Sequence, residues 1–219
     1  MENYKEFKTE KEAQNWIDSF YDKNEFSKEE LDLIYSYGGG NYKLYNKFLR
    51  GQISLDEESK EELDNFINRF SKYRLKENII VYRYMKYSNL KYLLKKNKFN
   101  AKTYNEKGFM STTLIPENES LEKLISDNGY NCLLRIKVPK GTIGIPIKHI
   151  NRYSLLKEYE VLLWPGTKIK IDKKGIKIQK TKPFFLRIIE CQIINQIGLK
   201  EKIDRIFNYT DLLEKLIKK

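Results

Sequence analysis

Apolar positions recur every three or four residues through the first third of the chain and every second residue through most of the remainder, which predicts helices followed by strands. Ala13, Trp16, Ile17 and Phe20 share one helical face, with Thr9 as the N-cap and Glu12 three residues on. Ser27 and Glu30 repeat that signature for a second helix. The triplet Gly38, Gly39 and Gly40 interrupts the pattern, and helical spacing resumes in "NYKLYNKFLRG" up to Gly51. Leu63, Phe66, Ile67 and Phe70 mark one more helical face, so residues 1–75 read as a helical part.

From Asn78 the signal changes to short β-branched and aromatic runs: "NIIVYRYM", "GFMSTTLI", "NCLLRIKV", "GTIGIPI", "EYEVLLW", "TKIKIDKK", "GIKIQK" and "FFLRIIECQII". Helix-like stretches at 89–98 and 118–128 interrupt this series, and residues 199–219 close the chain as an amphipathic helix. No internal repeat, low-complexity tract or Pro-rich linker divides the sequence. It reads as one domain over residues 1–219: a helical part, a β-rich core at 76–198 and the terminal helix.

Hydrophobic residues make up 40% and aromatics 13% of the chain, which excludes a disordered protein. A net charge of +12 and a pI near 9.4 attract phosphates, nucleic acid, anionic lipid or an acidic protein. The lysines are scattered through every segment, the pattern of a solvated surface. A nucleic-acid-binding role would need them clustered with interleaved aromatics. Cys132 and Cys191 fall inside strands without metal-type spacing and read as buried thiols. His149 is the sole histidine and reads as a loop residue; it rules out a multi-histidine metal site. No apolar run reaches the ~20 residues of a membrane span, and the N-terminus lacks a signal-peptide core. A cytoplasmic protein and one whose leader has been removed are both consistent with this.

In a strand, alternation puts Glu158, Glu160, Leu162 and Trp164 on one face. Adjacent carboxylates raise each other's pKa, so the pair is either solvent-exposed or held for a purpose. Arg83 shares a face with Ile79 and Val81, and a guanidinium among apolar residues needs an anion, whether a ligand phosphate or an internal carboxylate. Ser111, Thr112 and Thr113 supply three hydroxyls in one strand, and Arg135 is a second candidate for an anion.

Taken in order, an Arg near a strand end, the Ser-Thr-Thr strand and the Glu-x-Glu motif resemble the Arg–Ser–Glu class of mono-ADP-ribosyltransferase toxins. The resemblance is strongest to the enzymatic components of clostridial actin-modifying binary toxins, where "EYEVLL" followed by Gly and a basic strand recurs. Upstream, "YGGGNYKLYNKFLRG" looks like that family's segment with two tyrosines five apart, here Tyr37 and Tyr42, before a helix ending in Leu-Arg-Gly. The match covers about residues 10–195.

That resemblance implies an α+β fold: N-terminal helices, then two packed, mainly antiparallel sheets forming an NAD cleft. It implies transfer of ADP-ribose from NAD, a co-substrate, to a protein side chain, with nicotinamide released and no metal required. Arg83 would hold the NAD phosphates, Arg135 would add a second contact, and Tyr37 and Tyr42 would line the site. Ser111 would orient the catalytic Glu160, beside which Thr112 and Thr113 continue the strand. Glu160 would stabilise the oxocarbenium-like cation, and Glu158 would orient the acceptor and take its proton. Rho-modifying single-domain relatives carry Gln at the first glutamate and modify Asn, so Glu158 implies an arginine acceptor.

Departures fall at Tyr84, where many binary-toxin enzymes have a second Arg, and in the acceptor loop at 149–157. There Leu155 stands in place of an aromatic, with Tyr153 nearby as its substitute. The implied partners are a host target protein, actin or a small GTPase, and a separate translocation component, with no nucleic acid; the implied location is secretion followed by action in the host cytosol. An NAD glycohydrolase without a protein acceptor is the further enzymatic alternative.

Overall fold

The computed structural model describes residues 2–96, 103–116, 127–147, 159–181 and 184–196. Helix α1 (Glu10–Asn24) starts where the Thr9 hydroxyl accepts from the Glu12 amide at 3.2 Å. Helix α2 (Lys28–Ser36) starts at a full capping box between Ser27 and Glu30. A π-helical turn, Tyr37–Asn41, follows; Gly40 sits in it at φ 141°, a region that L side chains rarely adopt. The Ser36 hydroxyl and the Asn41 amide both donate to the Glu62 carboxylate, which ties the turn to the helix opposite. Helices α3 (Tyr42–Leu49) and α4 (Glu57–Phe70) complete the helical part, α4 capped by Asp56.

The strands are β1 (Ile79–Met85), β2 (Thr103–Asn105), β3 (Met110–Thr113), β4 (Cys132–Val138), β5 (Gly144–Pro146), β6 (Glu160–Leu163), β7 (Thr167–Thr181) and β8 (Phe184–Gln196), with helix α5 (Tyr87–Lys96) after β1. They form one sheet in the order β2-β7-β8-β4-β1-β3-β6-β5, antiparallel except for the parallel pair β4 and β8. Where two sheets were expected, hydrogen bonding runs through all eight strands. The connection between β1 and β3 is a single register pair, Tyr82 with Thr113, against seven pairs between β1 and β4. The sheet therefore consists of a five-stranded and a three-stranded leaf joined at a narrow seam.

The helical faces read from the sequence are the buried ones: Ala13, Trp16, Ile17 and Phe20 of α1, and Leu63, Phe66, Ile67 and Phe70 of α4. Phe66 stacks on Trp164 at 6.0 Å between ring centroids, and Phe109 meets the same indole edge-on at 5.2 Å. Each such side chain contributes on the order of 2 kcal/mol by leaving water, so this aromatic cluster fixes helices to sheet.

The N-terminal strap pairs alongside β1, with Lys5 N donating to Asn78 O at 2.9 Å and Ile80 N to Lys5 O at 2.8 Å. "TKIKIDKK" and "GIKIQK" form one long strand, β7, broken by a register shift between Ile171 and Ile176. The stretch 118–128 falls largely outside the described residues, and the C-terminal helix 199–219 wholly so.

Candidate active site

The seam between the leaves gathers the chemistry. Arg83 in β1 reaches across it, and its Nη1 donates to the Ser111 carbonyl oxygen of β3 at 3.0 Å. β3 and β6 pair with Ser111 opposite Leu162 and Thr113 opposite Glu160. Cross-strand partners share a face, so Ser111 lies one diagonal step from Glu160 on the same face. Ser111 is exposed and Glu160 half-buried.

Tyr159, directly before Glu160, has φ 43°, in the left-handed region that is uncommon for an aromatic residue. Its hydroxyl donates to Glu10 Oε2 at 2.7 Å, which holds the entry to β6 against the first residue of α1. Burial, and then that carboxylate, push the phenol up to about 12. β6 begins at Glu160, not at Glu158, because this backbone turn interrupts the two-residue alternation. Two-residue alternation therefore starts at Glu160. Glu158, Tyr153, Leu155 and His149 lie outside the described residues.

Tyr37 is buried, stacked on Phe66 at 5.0 Å and edge-on to Phe109 at 5.3 Å. Burial raises its phenol well above the ordinary range and the Glu160 carboxylate adds to that, while the Arg83 and Arg50 guanidinium groups act against it. These four side chains thus share one electrostatic neighbourhood. Tyr42 stands 6.3 Å from Tyr37, centroid to centroid, and is 40% exposed at the rim.

Two residues that sequence reasoning did not single out complete the cluster. Arg50, at the C-cap of α3, donates through Nε to Glu106 Oε1 at 3.0 Å, and Glu106 Oε2 lies 3.5 Å from Arg83 Nη2. Glu106 is only 7% exposed. The available signal was the Leu-Arg-Gly helix end for Arg50; the turn acid in "NEKGF" carried none.

Two expectations change. The register pairs Arg135 with Tyr82, which places it on the face of the sheet opposite Arg83. Arg135 bonds Glu6 at 3.0 Å and Glu190 at 2.9 Å, so the anions that this guanidinium meets are internal carboxylates. The Thr112 hydroxyl is buried and donates to the Val161 carbonyl at 2.6 Å, tying β3 to β6 rather than facing a ligand. Cys132 and Cys191 are free and buried, and burial pushes the Cys132 thiol up to about 12.

Among the described residues no group of His, Cys, Asp and Glu could hold a metal, and no helix is long and apolar enough to cross a membrane. What the cluster offers is two guanidinium groups beside one carboxylate and a second carboxylate, Glu160, across the seam. Such a site can grip an anion at one end and meet developing positive charge at the other.

The sequence model of a family described as ADP-ribosyltransferase exoenzyme matches residues 5–186. Among solved structures the chain is similar to a C3 ADP-ribosyltransferase from Clostridium botulinum, with 22% identity and a TM-score of 0.65 over 88% of this chain and 100% of that one. A C3 protein from S. aureus, solved with NAD, matches at 22% identity and TM-score 0.68 over 88% and 99% of the two chains. The ADP-ribosylating toxin component of a binary enterotoxin of C. perfringens, solved with NADH, matches at 26% identity and TM-score 0.68. There the match covers 88% of this chain but 50% of the other. No curated protein matches the chain.

Proposed function

This chain belongs to the ADP-ribosyltransferase exoenzyme family, and we propose that it is a toxin enzyme that transfers ADP-ribose from NAD to an arginine of a host protein. The bond from the ribose anomeric carbon to the nicotinamide nitrogen breaks and nicotinamide leaves with the electron pair. A bond then forms from that carbon to a guanidinium nitrogen, which gives up one proton. Glu160, fixed at the start of β6, supplies the negative charge facing the oxocarbenium-like centre. Arg83 and Arg50 bind the diphosphate, Ser111 orients Glu160, Tyr37 closes the cleft wall and Tyr42 its rim. Glu158 orients the incoming guanidinium and accepts its proton.

The observation that carries this reading is the bridge from Arg83 to Ser111, one diagonal step from Glu160. The arginine acceptor rests on Glu158, and the acceptor surface is assigned to Tyr153 and Leu155. Actin is the proposed target, reached after secretion and delivery into a host cell by a separate component. A second reading is a single-domain exoenzyme acting on an asparagine of a Rho-type GTPase. Coverage of 100% and 99% of the two C3 chains favours it, and Glu158, where it requires Gln, opposes it.

The test is incubation with labelled NAD and a mammalian lysate, followed by mass-spectrometric mapping of the modified residue. ADP-ribose on an arginine of an actin-sized band is expected, and label on an asparagine would select the second reading. Glu160→Gln should lower both transfer and NAD hydrolysis by about 10²-fold or more. Glu158→Gln should remove transfer and leave hydrolysis; survival of both activities would overturn its assigned role.

A further inference from the structure

We infer that Glu106 is a positioning residue for the dinucleotide: it sets the spacing of Arg50 and Arg83 so that both guanidinium groups meet one diphosphate. The inference rests on the functional reading above and adds a residue to it. Arg50 ends α3 and Arg83 belongs to β1, so no common secondary structure fixes the distance between them. Glu106 occupies the turn between β2 and β3, and its own backbone is pinned at both polar groups. Its N–H donates to Thr167 O at 3.0 Å, and its carbonyl accepts from Gly166 N at 2.7 Å.

From that anchor one carboxylate oxygen takes Arg50 Nε at 3.0 Å and the Gly108 amide at 3.1 Å, and the other faces Arg83 Nη2. Arg50 is held by its inner nitrogen, and among the described residues its two terminal nitrogens are uncommitted. Among the described residues Arg83 Nε is buried without a partner, and Arg83 is held at its terminal nitrogens by Ser111 and Glu106. Removing Glu106 leaves Arg83, among the described residues, with the Ser111 hydrogen bond and no ion-pair partner on the Glu106 side.

Charge and geometry predict opposite signs here, which makes the role testable. Two guanidinium groups and one carboxylate leave a single net positive charge, and Gln in place of Glu106 leaves two. Attraction alone would then tighten binding of a dianionic diphosphate. A positioning role makes the same change weaken it, because each arginine must be ordered again on every binding event.

NAD dissociation constants by calorimetry and hydrolysis kinetics should be measured for the parent chain, Glu106→Gln, Glu106→Asp and the Arg50→Ala versions of the parent and of Glu106→Gln. Glu106→Gln is expected to raise Kd and KM for NAD about tenfold with kcat within about twofold, and Glu106→Asp to recover part of the loss. In the Arg50→Ala background the same change should have a smaller effect, a non-additivity that general loss of stability does not produce. Unchanged or tighter NAD binding in Glu106→Gln overturns the inference, as does a purely additive cycle. If Glu106→Gln does not fold, Glu106→Asp decides: a several-fold higher KM supports the role and an unchanged KM overturns it. A parent chain that neither binds nor hydrolyses NAD overturns the functional reading and this inference together, whereas an active parent with an unshifted Glu106→Gln overturns this inference alone.

Discussion

A β-carbon at Gly108 would overlap the Asn46 amide oxygen and come 3.5 Å from Arg50 Cζ, so the close approach of this turn to α3 depends on glycine. Gly108→Ala should push the Asn46 side chain aside at a stability cost of about 1 kcal/mol, since a flexible side chain can move. Arg50 Cζ would stay at ordinary van der Waals distance, so NAD binding should change far less than stability, which parallel thermal melts and calorimetry will separate. At this scale the sequence was only partly legible. Arg83, Ser111 and Glu160 stood out through the order of their motifs and the family resemblance that order carries, and the fold brings their strands to one seam. Arg135 matched on residue type too, but residue type does not say whether a guanidinium meets a ligand or, as with Glu6 and Glu190, an internal carboxylate. Glu106 resembles any solvated turn acid until the fold buries it, and the φ of Tyr159 has no compositional signature.

Among the elements, the helices were the most legible, because caps and a 3.6-residue stripe are local signals and Thr9 and Ser27 act as read. The three-residue strand β2 is too short to show a period, and the separate runs of β7 join only because both pair with β8. The N-terminal strap was not legible at all, since it is held by side chains from distant strands. Its Glu6 carboxylate accepts from Arg135 Nε and from the Tyr82 hydroxyl, and Arg135 above all lowers its pKa to about 2, from an ordinary value near 4.5. A depressed folded-state pKa gives stability that is present in full above about pH 4.5 and is lost as pH falls towards 2. Glu6→Gln is therefore expected to destabilise the protein by on the order of 2 kcal/mol at neutral pH and to flatten the loss of stability across that acid window. Urea denaturation at a series of pH values will measure both effects; equal pH slopes in parent and variant would show that Glu6 carries no such linkage.

For the whole molecule, the two leaves of the sheet are unequal partners. The larger holds β1 between β4 and the seam, with seven register pairs on one side and one on the other. Amides of Met110–Thr113 and Glu160–Leu163 are expected to lose exchange protection at lower denaturant than those of Ile79–Met85 and Cys132–Val138, as read by native-state hydrogen exchange. Simultaneous loss would show that the leaves open as one unit. The same narrow seam bears on how such an enzyme can diverge. In the function proposed above, the grip on the dinucleotide and the charge that meets its reacting carbon belong to strands that barely share a ladder, so that substitutions can retune one without shifting the register of the other. Substrate affinity and acceptor choice are then free to drift as separate traits.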